Sequence, residues 1–206
     1  MDITGVWAHR FADRILNGVE EYDEIITGLK SIPTPVCEGF KRKPYDVKQG
    51  LLNTMIDYTF EKSGWETQPY IDTRENRKSS QKGDFAKTTK EGIKIFVEVE
   101  FGNVASTFRD FYKFNLAYSL DTYDCGIFIL PDQPLARRID TIQNFKGAKK
   151  LVQEARDFIN LPLIIIGIGA GKEIDLLSIV NDVNYWKTYK TEDFNTIIKD
   201  HKELLF

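Results

Sequence analysis

Between residues 92 and 101 the chain reads GIKIFVEVEF, and its apolar and polar positions alternate. Ile93, Ile95, Val97, Val99 and Phe101 fall on one side, with Lys94, Phe96, Glu98 and Glu100 on the other. A period of two predicts a strand with one face in the core and both glutamates on the opposite face. The preceding TTKEG predicts a turn. A hairpin pivoting near Lys90 and Glu91 sets Asp84 across from Glu98, within a residue.

Helical spacing appears first from Ala12 to Ile32, where Ile15, Val19, Tyr22, Ile26 and Leu29 form an apolar stripe. Glu20, Glu21, Asp23 and Glu24 make the acidic outer face of that expected helix. IPTPVCEGFKRKPYD, with three prolines, predicts a loop. A second helix is expected from about Val47 to Ser63, with Leu52, Ile56 and Phe60 inward and Gly64 as its stop. QPYIDTRENRKSSQKG then reads as an exposed, basic connector.

Beyond Asn103 a third helix is expected, with Thr107 and Asp110 spaced as a capping pair. Phe111, Phe114, Ala117 and Tyr118 line its inner side, and Arg109 and Lys113 its outer side. CGIFILP and LPLIIIGIG read as strands buried on both faces, separated by a basic segment that is part loop and part helix. The last segment is helical or irregular. The order predicts an α/β fold, a mixed β-sheet sandwiched by helices.

With 206 residues, 42% hydrophobic and 29% charged, the chain has the makeup of one globular domain. A net charge of −3 argues against a nucleic-acid coating role, though positive charge can be confined to one cleft. Cys37 and Cys125 lie in unlike surroundings and predict free thiols in a reducing compartment. MDITGVWAHRFADR lacks a signal-peptide core and no apolar run approaches a membrane span, so an intracellular, cytoplasmic protein is expected.

Asp84, Glu98 and Glu100 together form a cluster of hard oxygen ligands, the kind that binds Mg²⁺. The plainer alternative is a solvated face whose glutamates pair with lysines. The hairpin register of Asp84, the wholly apolar opposite face and the FGN turn that follows favour the cation site. GIGAGKE at 167–173 is a strand-end turn and not a phosphate loop, because position 166 is Ile and Glu173 follows the lysine. His9 and His201 are the two histidines, too few for a histidine metal site or a Ser-His-Asp triad, and His9 reads as structural.

The pattern GD…VEVEFGN, a helix, then IFILP resembles the PD-(D/E)XK nuclease core, and within it the BglII type of type II restriction endonucleases. AHRF, KQGLLN…EKSGW and LPLIIIGIGAG extend the likeness to about Gly171. Two positions depart from it. Gly83 stands where the motif has proline, and position 100 is Glu where BglII-type relatives carry Gln. The resemblance implies one catalytic and DNA-binding domain over residues 1–206 that hydrolyses both strands of a short palindromic site in double-stranded DNA.

It makes Asp84 and Glu98 ligands of Mg²⁺, joined by the backbone carbonyl of Val99, with Glu100 holding or deprotonating the attacking water. Asn53 is a further candidate for the site, or else a simple helix-surface residue. Arg74, Arg77, Lys78 and Lys82 either grip phosphates or belong to a solvated loop. Arg137 and Arg138 fall where the resembled enzymes place a DNA-reading loop. Asn103 and Ser106 are candidates for base edges, Ser106 equally for a helix cap. A two-fold site cut on both strands implies a homodimer, and no membrane or small-molecule cofactor is expected. Another nuclease of this fold, for repair or junction resolution, and a catalytically silent DNA-binding domain are the alternatives.

Overall fold

The computed structural model describes residues 1–188 and 191–206. In chain order the elements are β1 (Asp2–His9), α1 (Ala12–Ile15), α2 (Glu20–Ser31), β2 (Thr34–Val36), α3 (Gln49–Lys62), β3 (Glu66–Thr67), β4 (Phe85–Thr88) and β5 (Lys94–Val99). They continue with α4 (Val104–Ser119), β6 (Cys125–Pro131), α5 (Leu135–Ile139), α6 (Phe145–Glu154), β7 (Leu163–Gly169), β8 (Glu173–Asp175), α7 (Val183–Thr188) and α8 (Thr191–Leu205).

Six strands form one mixed sheet in the order β1-β7-β6-β5-β4-β3, and β2 pairs with β8 in a small parallel sheet. The centre, β5-β6-β7, is parallel, while β1, β4 and β3 join antiparallel. The strands alternate between two cores. Ile95, Val97, Ile127, Ile129, Ile164 and Ile166 pack under α2, α3 and the C-terminal helices. Phe96, Phe128, Leu130, Leu163 and Ile165 pack under α4 and α6. All seven residues of β6 and of β7 are buried, as expected for strands covered on both faces.

The expected helix from Ala12 to Ile32 is two helices, separated at Gly18, whose φ of +76° lies in the left-handed region. The apolar stripe runs through the break because both pieces cover the same core. Glu21, expected on the outer face, is buried. The N-terminal segment, assigned no element from sequence, is edge strand β1; β2, β3 and β8 are equally new, and pieces of two or three residues carry no periodic signal. α4 is capped by Asn103, whose Oδ1 accepts from the N–H groups of Ala105 (2.9 Å) and Ser106 (3.3 Å). Thr107 and Asp110, read as a capping pair, instead face inward and are buried.

Gly64, with φ +78°, ends α3 as expected. Both cysteines are free and buried, and His9 is structural, its Nε2 lying 2.8 Å from the Ile159 carbonyl oxygen. No helix among the described residues is long and apolar enough to cross a membrane.

Candidate active site

The β4–β5 hairpin turns through Thr89–Gly92, where Thr89 N–H donates to Ile93 O at 2.8 Å. Phe85 pairs with Val97. One step further along the same register Asp84 falls opposite Glu98, as the turn position predicts. Its Oδ2 accepts from the Val99 N–H at 2.7 Å. Desolvation raises the pKa of Asp84, and the Val99 hydrogen bond opposes that shift.

Gly83 has a steric reason. A Cβ there would lie 2.0 and 2.4 Å from ring carbons of Phe96, and its N–H donates to Pro69 O at 3.0 Å. A proline would meet the same ring and lose that donor, which explains the departure from the motif. Gly83→Ala should therefore lower stability by about 1–3 kcal/mol, the cost of overpacking a filled core. Denaturant unfolding measures this, and wild-type stability in the variant would refute the packing account.

Glu98 is about 2% exposed. Its Oε2 accepts from Lys113 Nζ at 2.7 Å, while Oε1 is buried without a partner among the described residues. Burial and then the charge of Asp84 push its carboxyl well above the ordinary range, against the pull of Lys113. Lys113, expected on the outer side of α4, is buried and also reaches Asp110 at 3.2 Å. Desolvation works against its charge, but Glu98 and Asp110 outweigh it and its pKa rises. The positive charge that the strand glutamates require is thus present within the chain.

Glu100 sits one step along. Its Oε1 accepts from the Gly102 N–H, its Oε2 lies 3.6 Å from Arg109, and it shares a hydrogen bond with Asp110. Burial, followed by the Asp110 contact, raises its pKa to about 8. The three strand-hairpin carboxylates are therefore not equivalent: Asp84 and Glu98 share one surface, whereas Glu100 is tied to the first turns of α4.

On the other side of the hairpin, Asn53 and Asp57 of α3 join Ile56, Asp84 and Val99 around a cavity of about 130 Å³. Asn53 Oδ1 is buried and has no partner among the described residues, which sets it apart from a simple helix-surface asparagine. Partial desolvation and then the charges of Asp84 and Glu61 raise Asp57 to about 6. No three acidic, histidine or cysteine side chains among the described residues converge as a ready-made metal cluster. Asp84, Asn53 and Val99 line that cavity, and Glu98, with its unpartnered Oε1, stands across the hairpin register from Asp84. That set suits a divalent cation that keeps part of its water shell.

The other residues singled out from sequence are dispersed. Arg74 forms a bidentate pair with Asp72 (2.7 Å twice), and Lys78 gives its backbone N–H to the same carboxylate at 2.9 Å. These bonds, the Arg74 side chain first, hold Asp72 below the usual carboxylate range. Arg77 lies over the Tyr70 ring at 3.8 Å and Lys82 at 4.7 Å. The basic connector is an internally braced loop. Arg137 is exposed on α5, but Arg138 is committed to Asp46 (2.9 and 3.0 Å) and to Glu173. The expectation that Arg138 reads bases gives way to a structural tie. Asn103 spends its side-chain oxygen on the α4 cap, and Ser106 is half-buried in the turn that follows.

Sequence reasoning missed Asp57, Arg109, Asp110 and Lys113 as site residues. A signal existed for two of them: Asp110 and Lys113 stand four residues before the inward Phe114 and Ala117.

A mixed sheet flanked by helices, with an Asp and a Glu juxtaposed on one of its hairpins, is the architecture of restriction-endonuclease-type nucleases. The family profile described as Restriction endonuclease BglII/BglIII matches residues 4–168, and the chain belongs to that family. A comparison with curated proteins gave no match. Membership makes the chain a nuclease of a restriction system, with DNA as its partner; enzymes of this kind generally use divalent cations.

Proposed function

We propose that the chain is a Mg²⁺-dependent type II restriction endonuclease, acting inside the cell as a homodimer on a short palindromic site in double-stranded DNA. Residues 1–206 serve as one catalytic and DNA-binding domain. The observation that carries this reading is the unpartnered Glu98 Oε1, buried beside Asp84. Asp84, Glu98 and the Val99 carbonyl would hold the cation, which lowers the pKa of the attacking water and offsets phosphate charge. Asn53 supplies a further oxygen across the cavity. Glu100, anchored by Gly102 and Asp110, orients the water that attacks phosphorus in line.

Two copies are required because a two-fold sequence cut on both strands needs two identical centres. Incubation with unmodified plasmid and Mg²⁺ tests the whole reading. Discrete fragments are expected. Smearing or structure-selective nicking would point to another nuclease of this fold, and DNA binding without cleavage to a silent binding domain.

Arg137 is the arginine left free to reach a guanine edge, with Asn103 and Ser106 beside the catalytic strand as further contacts. Lys78, with Arg77 and Lys82 over Tyr70, would meet phosphates. Arg137→Ala should cost about 1–3 kcal/mol of discrimination between cognate and non-cognate duplexes, with unchanged stability. Arg138→Ala should instead lower stability by about 1–2 kcal/mol and leave discrimination intact. Melting curves beside competition binding separate the two, and a loss of discrimination in the Arg138 variant alone would reverse the assignment.

A further inference from the structure

Glu98 is gripped from one side only. Lys113 reaches from α4 to Glu98 Oε2 at 2.7 Å and to Asp110 Oδ1 at 3.2 Å, with its own side chain about 10% exposed. Burying an ammonium costs several kcal/mol before its partners repay it, and an apolar pair of similar volume often serves stability as well or better. The fold alone therefore does not call for this pair. What the pair does is break the symmetry of a carboxylate. Oε2 is occupied, and Oε1 is left buried and free.

Asp110 extends the arrangement. It holds Lys113 and also shares a hydrogen bond with Glu100, so both strand glutamates are fastened to one stretch of α4. The terminal torsion of a glutamate is broad and roughly two-fold, so an unpinned Glu98 would swing. We infer that Lys113, held by Asp110, is a positioning residue for DNA cleavage: it fixes Glu98 so that Oε1 alone is presented to the reaction. This rests on the nuclease reading above. Misplacement of a reacting constellation by about 1 Å costs on the order of 10²-fold in rate, which sets the expected size of the effect.

Lys113→Met keeps the length of the aliphatic stem and removes the ammonium and its charge. It is compared with the wild-type chain in single-turnover cleavage across a Mg²⁺ titration, each rate divided by the folded fraction from melting curves. Calorimetric binding of Mn²⁺ to each protein without DNA gives a readout independent of turnover. The variant should remain about 10²-fold slower at saturating Mg²⁺ while binding Mn²⁺ within about threefold of wild type. If Lys113→Met does not fold, Lys113→Gln, a shorter neutral side chain that keeps an N–H donor, replaces it. That variant should stay at least about tenfold slower under the same conditions.

Wild-type cleavage per folded molecule, or a rate fully restored by more Mg²⁺, overturns the positioning role. So does loss of Mn²⁺ binding in parallel with cleavage, since Lys113 would then only be keeping the ligands together. A wild-type chain that cleaves no DNA is a different failure, and it removes the nuclease reading itself.

Discussion

Glu98→Gln should cleave DNA about 10³-fold more slowly than the wild-type chain at saturating Mg²⁺ in a single-turnover assay, while still binding DNA. The substitution keeps the volume of the side chain but turns an anionic oxygen donor into a neutral amide. A bound cation contributes several kcal/mol of charge stabilisation, and each 1.36 kcal/mol is tenfold in rate. Lys113 sharpens the effect, because its ammonium would lie against an amide where a carboxylate stood at 2.7 Å. Asp84→Asn should behave alike, since the Val99 N–H needs only an acceptor, at 2.7 Å, and the charge is what the cation needs. Neither residue grips DNA in this reading, so gel-shift affinity without metal should hold for both. Cleavage by either variant within tenfold of wild type would sink the assignment of Asp84 and Glu98.

Glu100→Gln should behave in the opposite way and retain most of the cleavage. Without metal its carboxyl is raised to about 8 by burial and by Asp110, and a glutamine keeps the size and a carbonyl acceptor of that side chain. The glutamine carbonyl can still accept from the Gly102 N–H. General-base catalysis contributes typically about 10²–10⁴-fold, so a loss of that size in Glu100→Gln would make Glu100 the base and end the orienting role.

Stability supplies an independent check on the same residue. The folded-state pKa lies above the usual carboxylate value of 4.5, so the folded protein holds a proton that the unfolded chain releases. The stability from that proton is complete below 4.5 and is lost as pH rises to about 8. Glu100→Gln lacks this loss. Without metal, its melting temperature should pull ahead of the wild type between these limits, and a gap that stays constant with pH would contradict the raised pKa.

The hairpin was legible because its signal is local. Period-two alternation in IKIFVEVEF and a turn at Thr89–Gly92 place Asp84 against Glu98 with no knowledge of the rest of the chain. The buried strands β6 and β7 were legible for a related reason: an unbroken apolar run bounded by turns has few other places to go. The break at Gly18 was not, since both helical pieces face one core and share one apolar phase. Edge strand β1 was also missed; its burial alternates, but apolar Val6 lies on its exposed face and Gly5 on its inner one, so the residue types do not.

The amino-acid pattern by itself determined the hairpin register and the Asp84–Glu98 pair, both consequences of contacts close in sequence or of a periodic burial pattern, and its motifs carried the resemblance to the family. Only the tertiary structure decided what those carboxylates touch. Lys113 and Asp110 are polar, and propensity sends polar helix positions outward. They turn inward here because α4 packs its side chains against β5, Phe114 on Phe96, beside the carboxyls of Glu98 and Glu100 that must be met. The arginines were divided in the same way. Arg137 and Arg138 are neighbours of identical chemistry, and the distant Asp46 and Glu173 claimed one of them. Pairing between charges so far apart in sequence has no local signature, so it exists only once the chain has folded.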